Sequence, residues 1–283
     1  KRIMPACSVV HNKNLFVSEP EASWLGNPPE PSPLPSTWTN QNWLKSRFHF
    51  NFAEYSFGRN RYGTLRVLND DLVQPDRGFG THPHSNMEIV TFVVDGELTH
   101  ADSLGNTEAL GRGSVQYMSA GSGIRHSEYN ASKDTPLRFI QMWVLPRKPG
   151  AKPVYGSFES LKEHAEARKE KFFHLVSDRQ QTDVNTPVEI DQDLNMHVAE
   201  ISPGSKVTFD VVPGRQAYVL VIEGAASVIP SPITGSSEAG APNRMERHDG
   251  AMASGGQQLT FVGEEGHEDG AALVYVIEMA ASG

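Results

Sequence analysis

The chain has 283 residues, of which 38% are apolar, and its mean hydropathy of −0.42 is typical of a soluble globular protein with a substantial core. The formal net charge of −9 disfavours a nucleic-acid or anionic-membrane surface, because phosphate binding depends on clustered Lys and Arg. No apolar run reaches the roughly 18 residues that a membrane span requires, so the composition predicts a small-molecule partner.

The N-terminal region begins with the single cysteine, Cys7, which excludes an intramolecular disulfide and argues against a thiolate metal site. A reducing compartment follows, so we expect a cytoplasmic location, with a nuclear one as the alternative. Because the chain begins at Lys1 rather than Met, an upstream targeting segment stays open. Residues 19–36 are rich in proline, which blocks helix and central strand and predicts an extended arm or a disordered tail.

Short β-type segments follow this region. Phe48, Phe50 and Phe52 alternate with polar residues, which predicts a strand that buries all three rings. Further strands are predicted at 64–68, 87–94, 97–100, 114–118 and 137–145, and turns at 69–71, 95–96, 104–106 and 111–113. No helical period of useful length appears up to Leu145, so this half is predicted to be an all-β barrel or sandwich.

Two pairs of residues with metal-ligand chemistry occur at the same spacing: His82 with His84, and His126 with Glu128. Residues i and i+2 of a strand project from one face, so each pair directs both side chains to one side. If the two strands lie across a closed or nearly closed sheet, the four side chains converge on one metal ion. Pro83 has no amide hydrogen and belongs at a strand start, an edge or a bulge, which predicts a site near a barrel mouth.

Three imidazoles and one carboxylate suit borderline divalent ions such as Fe, Mn, Co, Ni, Cu and Zn. The absence of sulfur ligands removes the main reason to expect a structural zinc. A six-coordinate ion with four protein ligands keeps two open positions, where an oxidisable substrate and O2 can bind side by side. His100 could enter the same cavity, although a packing or surface role is the alternative.

The second half of the chain begins after a junction at 149–156. Residues 157–173 predict one helix, with Ser160 and Glu163 as a capping box. Strands are predicted at 196–201, 206–211, 218–222, 257–262 and 272–278, and a mobile loop at 230–243. The histidines of this half show no His-x-His or His-x-Glu pair, so we expect no metal there: His174, His197, His248 and His267.

Two motifs resemble the pirin family of the cupin superfamily, most closely its bacterial quercetin dioxygenase-like members. They are Gly-Thr-His-Pro-His-x3-Glu, ending at Glu88, and Met-Ser-Ala-Gly-Ser-Gly-Ile-Arg-His-Ser-Glu, ending at Glu128. The resemblance implies an all-β bicupin, with two face-to-face jelly-roll barrels and a short linking helix. We expect an N-terminal arm at 1–42, a metal-binding barrel at 43–150, a linker with the helix at 151–190 and a metal-free barrel at 191–283.

The resemblance also implies Fe(II), or another divalent transition metal, held by His82, His84, His126 and Glu128. Glu88 stands where ordinary cupins place their carboxylate ligand and therefore competes with Glu128 for this role. The family histidine of a His-Thr-Phe-Ser-Phe segment is replaced here, since residues 48–52 read Phe-His-Phe-Asn-Phe.

The function implied is a dioxygenase that cleaves a flavonol such as quercetin with O2 and loss of CO, with Glu128 as a base for the substrate hydroxyl. The alternative is a metal-dependent regulatory protein that binds a transcription-related partner, with iron as a conformational or redox switch. An open, apolar cavity at the metal favours the enzyme. We expect a monomer, with candidate substrate contacts, or else ordinary core residues, at Met87, Phe92, Met118, Phe139, Met142 and Trp143. Arg125 could orient an anionic substrate, and pairing with a surface carboxylate is its alternative.

Overall fold

The structure, a computed structural model, describes residues 7–27, 43–233, 239–267 and 270–281. Its contacts divide the chain into two units, one formed by Phe16–Ser160 and the other by Lys1–Leu15 together with Leu161–Gly283. Strands account for most of the regular structure, which confirms the all-β prediction. Within the described residues, no helix is long and apolar enough to cross a membrane.

The strands and helices have the following bounds. The strands are β1 (Cys7–Val10), β2 (Phe16–Ser18), β3 (Leu44–Phe48), β4 (Leu65–Val73), β5 (Arg77–His84), β6 (Glu88–Asp95), β7 (Leu98–Asp102), β8 (Thr107–Leu110), β9 (Val115–Ser119), β10 (Ile124–Asn130), β11 (Leu137–Val144), β12 (Val154–Phe158), β13 (Phe173–Asp178), β14 (Val188–Ile190), β15 (Leu194–Ile201), β16 (Lys206–Val211), β17 (Arg215–Glu223), β18 (Ala225–Pro232), β19 (Asn243–Glu246), β20 (Gly250–Ser254), β21 (Gln257–Gly263) and β22 (Ala272–Ala280). The α-helix α1 spans Lys162–Ala167, and short 3-10 helices span Asn12–Asn14 and Trp24–Gly26.

The unit Phe16–Ser160 packs two sheets around one core. A seven-stranded sheet has the order β12-β9-β6-β11-β4-β3-β2, and a four-stranded sheet has the order β5-β10-β7-β8. Apolar side chains of both sheets meet between them, including Val93 and Phe139 from the first and Leu98 and Leu110 from the second. Because alternate residues of a strand face opposite sides, this core identifies the inner face of each sheet.

The other unit has the same plan. Its seven-stranded sheet has the order β1-β20-β17-β22-β15-β13-β14, and its four-stranded sheet has the order β16-β21-β18-β19. Residues such as Val219, Val276, Val228 and Phe261 pack between the two sheets. Strand β1 pairs with β20 over four residues, so the first described residues of the chain belong to this unit.

These pairings set boundaries that differ from those expected from the sequence. Part of the expected 1–42 arm is β1 and β2, each paired within a sheet, while 28–42 lie outside the described residues. In the expected linker at 151–190, β12 pairs with β9, whereas β13 and β14 belong to the seven-stranded sheet of the other unit. The expected loop at 230–243 begins inside β18, and its residues 234–238 lie outside the described part.

The helix prediction was correct in type and wrong in extent. Helix α1 covers only Lys162–Ala167, because the preceding residues extend as β12 to pair with β9. The expected Ser160–Glu163 capping box is replaced by a bond from the Leu161 amide to His164 Nδ1, at 3.0 Å. Strand pairing thus overrides the local helical pattern.

Two local predictions near the site were also wrong. The expected strand through Phe48, Phe50 and Phe52 ends at Phe48, although Phe50 is fully buried beyond the strand end. The expected turn at 69–71 is the middle of β4, where these residues pair with both β3 and β11. Asn and Asp favour turns, but two neighbouring strands hold this segment extended.

Candidate metal centre

The histidines converge because β5 and β10 are neighbouring antiparallel strands. His126 lies directly opposite His82, and His84 follows two residues after His82 on the same face. Convergence therefore arises from cross-strand pairing within one sheet, and not from two strands on opposite walls as the sequence suggested. Strand β5 is the edge of its sheet, which satisfies the prediction for Pro83.

Glycine lets β5 approach its neighbours just before the histidines. A Cβ atom at Gly78 would lie 2.3 Å from the backbone oxygen of Glu128, and one at Gly80 would lie 2.3 Å from the backbone oxygen of Leu25. Both distances are shorter than any real contact of a Cβ atom. The carbonyl of Gly80 then accepts a hydrogen bond from His82 Nδ1 at 2.7 Å. This bond directs His82 Nε2 toward the other two rings.

The ring nitrogens of His82, His84 and His126 lie within 4.8 Å of one another. The Nε2 atoms of His82 and His126 are 3.1 Å apart. Two nitrogens that bind one ion at about 2.1 Å are separated by about 3.0–3.4 Å, depending on the coordination angle. His82 and His126 therefore have the spacing that a single bound divalent ion requires, and His84 lies close enough to be a third candidate ligand.

Burial keeps two of these imidazoles, those of His84 and His126, in the neutral form that binds a metal. The pKa of His84 is lowered to about 3 by burial and then by the charges of His126 and His82. The pKa of His126 is lowered to about 3 by burial and then by the charges of His82 and His100. In the described residues, His126 Nδ1 has no hydrogen-bond partner, so no neighbouring group holds a proton on that atom.

Glu128 lies on the same face as His126 and is 2% exposed, with Oε2 3.9 Å from His126 Nε2. Gln141 Nε2 donates to both carboxylate oxygens at 3.1 and 3.0 Å. Gln141 is in turn fixed by Trp143 Nε1, which donates to its Oε1 at 3.0 Å. Thr91 Oγ1 makes a longer contact of 3.4 Å. The opposite sheet thus orients the carboxylate beside the histidines.

Glu88 is placed differently. Along β6, Glu88 lies two residues before Val90 and three residues before Thr91. Its side chain therefore points to the same face as Val90 and to the face opposite to Thr91. Tyr117 and Ser119 of β9 donate to its two oxygens at 2.8 and 2.7 Å. Both carboxyl oxygens of Glu88 are therefore engaged on the face that points away from the histidines.

His100 is fully buried in the same sheet as the cluster. Its ring stacks on Tyr155 at a centroid distance of 4.4 Å, and its Nε2 lies 3.4 Å from Asp102 Oδ2. The centroid distance to His126 is 5.4 Å. His100 thus packs beside the cluster, which is the packing role and not the cavity position that the sequence left as alternatives.

A cavity adjoins the cluster inside the same unit, and its wall is mainly apolar. Its lining residues are Ser18, Trp24, Leu25, Leu44, Ser46, Phe48, Phe52, Asn69, Asp71, Phe79, His82, His84, Glu128, Gln141 and Trp143. The imidazole rings of His82 and His84 therefore form part of the cavity wall, and so does the carboxylate of Glu128. The volume is about 160 Å³.

The expected substrate contacts are distributed unevenly around this cavity. Trp143 lines it, and its ring packs edge-on against His84 with centroids 4.8 Å apart. Phe92 and Met142 leave their strands on the face opposite to Thr91 and Gln141, so they point away from the cluster. The others lie elsewhere: Met87 and Met118 in a core group with Ile89, Phe139 in the main core, and Arg125 in a surface depression that also includes His84.

Sequence reasoning missed several polar residues of the cavity. Ser46, Asn69 and Asp71 line it from β3 and β4, although Asn69 and Asp71 were assigned to a turn. Gln141, which donates hydrogen bonds to Glu128, lies in the strand predicted at 137–145, and the mostly apolar residues around it gave no sign of a role at the site. The available signal was polar residues at period two within strand-like runs, a pattern that places them on one face.

In the other unit, His174 and His197 are cross-strand partners whose rings stack with centroids 4.1 Å apart. Asn195 Oδ1 accepts a hydrogen bond from His174 Nε2 at 3.1 Å, and Asn195 Nδ2 donates to Glu278 at 3.0 Å. Stacked rings do not direct their nitrogens to a common point. The expectation that this unit binds no metal stays a prediction.

Two protein-family models match the chain, one in each of the two units. The family model "Pirin" matches residues 33–144, and the model "Quercetinase C-terminal cupin domain" matches residues 175–274. A pirin-like protein of Caulobacter vibrioides is 40% identical over 190 residues, or 67% of this chain and 79% of that protein. The chain belongs to the pirin family.

Among other pirin relatives, a quercetin 2,3-dioxygenase of Escherichia coli is 35% identical over 191 residues, or 67% of this chain and 78% of that protein. The crystal structure of YhhW from Escherichia coli matches with a TM-score of 0.74 and 24% identity, over 98% of both chains. A nickel(II) complex of the same bacterial pirin matches with a TM-score of 0.73 and 24% identity, over 98% of this chain and 100% of that one. These matches confirm the two-domain cupin fold.

Proposed function

We propose that this pirin is a metal-dependent dioxygenase that cleaves a flavonol such as quercetin with O2. The observation that carries the proposal is the apolar cavity, whose wall includes His82 and His84. Cavities with apolar walls and a few convergent polar groups are the usual sites for small organic ligands. The name of the Escherichia coli relative, quercetin 2,3-dioxygenase, supports the same substrate class.

The metal ligands in this proposal are His82, His84, His126 and Glu128. The grouping of the ring nitrogens supports the three histidines, the lowered pKa values of His84 and His126 add to that support, and the position of Glu128 beside His126 supports the fourth ligand. Fe(II) is our first choice, with Mn, Co, Ni, Cu and Zn as alternatives, since nitrogen and oxygen donors suit all of them. Bound there, the ion would supply open coordination positions for the substrate and O2.

The protein residues would bind and orient the substrate and accept its proton. Glu128 would accept the hydroxyl proton of the substrate as its oxygen approaches the cluster. Gln141 keeps both Glu128 oxygens in position, which fixes the direction of proton transfer. Phe48, Phe52 and Trp143 would cover the aromatic rings and keep water away from them.

The cavity volume limits how a flavonol would bind. About 160 Å³ is below the roughly 300–1,000 Å³ of pockets that enclose a drug-sized ligand. We therefore expect one oxygenated edge of the flavonol to enter, while the rest of the molecule stays at the mouth. A cavity that reaches the histidines favours this enzymatic role over the regulatory alternative, which needs no substrate cavity.

An anaerobic titration with quercetin tests the proposal. Metal-loaded wild-type protein should shift the absorption band of the flavonol, because loss of the hydroxyl proton changes its electronic structure. The His82→Ala/His84→Ala double variant should lose the metal and the shift. His11→Ala is the control, since this half-exposed histidine lies in the other unit, and it should keep both. If fully metal-loaded wild-type protein does not shift the absorption band of quercetin, the proposal is wrong.

A further inference from the structure

Two polar side chains of β4, Asn69 and Asp71, line the cavity and are not among the proposed metal ligands. They are 3% and 2% exposed. Burying polar groups in an apolar wall costs free energy unless a partner is present. The proposed metal centre does not explain why these two polar side chains are buried in the cavity wall, whereas a bound ligand could supply hydrogen-bond partners for them.

The two groups differ in the partners that the protein gives them. In the described residues, Asn69 Oδ1 has no hydrogen-bond partner. Asp71 Oδ1 accepts a hydrogen bond from Ser46 Oγ, its cross-strand partner on β3. A carboxyl group has a second oxygen, so Asp71 Oδ2 can also bond to a molecule in the cavity.

Protonation makes this pair complementary. Burial raises the pKa of Asp71 to about 8, against the opposing effect of the Ser46 hydrogen bond, and the charges of Asp70 and Glu128 raise it further. Asp71 therefore carries a proton near neutral pH and can donate a hydrogen bond. Asp70 does not compete for the cavity, because its side chain lies on the other face of β4 and pairs with Arg138.

The pair also lies close to the proposed metal ligands. Asn69 is the cross-strand partner of Gln141, whose side chain donates to Glu128. The unpartnered amide oxygen of Asn69 therefore belongs to the direct cross-strand neighbour of the residue that orients the carboxylate. Asn69 and Asp71 thus share one cavity with His82 and His84.

We propose that Asp71 and Asn69 form a hydroxyl-binding subsite for the aromatic ligand. A hydroxyl group is both acceptor and donor, so it can accept from the Asp71 carboxyl and donate to Asn69 Oδ1 at the same time. The inference rests on the proposed function and adds to it a second contact that selects a polyhydroxylated ligand. This hydroxyl is distinct from the one that approaches the histidines.

Anaerobic binding measurements on metal-loaded variants test the subsite, with quercetin and flavonols that lack one hydroxyl group at a time. Asn69→Leu and Asp71→Leu should each weaken quercetin binding about tenfold or more, because a ligand hydroxyl loses its partner. For the one flavonol that lacks the contacted hydroxyl group, the leucine variants and the wild type should bind with equal affinity. Asp71→Asn should bind like the wild type, since its amide can still donate and still accept from Ser46.

Gln116→Leu is the matched control. Gln116 lies three strands away in the same row of sheet partners, beyond Gln141 and Thr91, and within the described residues its buried amide is also unpartnered. It should leave flavonol affinity unchanged. Variants are compared at equal metal content, and if a leucine variant fails to fold, a loss of quercetin binding by folded Asp71→Asn would overturn the subsite.

The outcomes separate this inference from the proposed function. Wild-type protein that binds quercetin, with leucine variants that bind equally well, would overturn the subsite alone. An equal loss for every flavonol in the series, or an equal loss in Gln116→Leu, would overturn it as well. Wild-type protein that binds no flavonol would overturn both proposals.

Discussion

At the residue scale, two carboxylates are candidates for the fourth metal ligand, and the strand face favours Glu128 over Glu88. Glu128 shares a face with His126, whereas Glu88 is bonded by Tyr117 and Ser119 on the face that points away. Glu128→Gln should therefore lower metal affinity about tenfold or more, since even partners of metal ligands are worth that much. Metal content after gel filtration measures the effect.

Glu88→Gln is the matched comparison. Its amide oxygen can still accept from one of the two hydroxyl groups and its NH2 group can donate to the other, so we expect wild-type metal content and a modest loss of stability. The reverse order of metal loss in the two variants would show that this pirin keeps the carboxylate arrangement of ordinary cupins.

The sequence predicted the four candidate ligands because their spacing and chemistry are local properties. It could not predict Asn69 and Asp71, because the run Asn-Asp-Asp has a strong turn propensity. Only the pairing of β4 with both β3 and β11 fixes the run as a strand and turns Asp70 and Asp71 to opposite faces. These pairings join residues that are about 20 positions apart for β3 and about 70 positions apart for β11, and no local sequence pattern records them.

At the element scale, β4 and β11 are joined by a buried ion pair. Arg138 Nε and Nη2 donate to the two oxygens of Asp70 at 2.9 and 2.7 Å, and both side chains are at most 3% exposed. Asp70→Asn should lower the free energy of unfolding by about 3–5 kcal/mol, because it leaves a buried charge poorly compensated. Urea unfolding measures the change.

The exposed pair of Lys133 and Asp76 provides the control, since its side chains are 76% and 57% exposed. Asp76→Asn should cost at most about 1 kcal/mol, because water screens such a pair. Equal losses in the two variants would contradict the importance assigned to the buried pair.

At the scale of the whole molecule, the two units repeat one architecture with different chemistry. The spacing of ligand-type residues distinguished them in the sequence, but the unit boundaries were missed. Those depend on β1, whose partner β20 lies about 240 residues later in the chain. Contacts over such separations are set by the complete fold and not by local composition.

The unit without the candidate metal ligands should be sensitive to acid. Burial, and then the charge of His174, lowers the pKa of His197 to about 3, while the unfolded residue titrates near 6.5. Between these values only the unfolded state gains the proton, so stability falls as the pH falls, by up to about 1.4 kcal/mol per pH unit. His197→Phe should therefore reduce the loss of thermal stability between pH 6.5 and pH 4, as measured by calorimetry. Identical pH slopes in the two proteins would contradict this origin.

The central claim is that the histidine cluster and the adjoining cavity act together on a flavonol. Oxygen uptake and CO release by metal-loaded protein with quercetin measure this directly. The account predicts that the wild type consumes O2 and releases CO in equal amounts, and that the His82→Ala/His84→Ala variant does neither. Wild-type protein is loaded fully with Fe(II) in one sample and with each alternative metal in parallel samples. The claim would be contradicted if none of these samples consumed oxygen with quercetin.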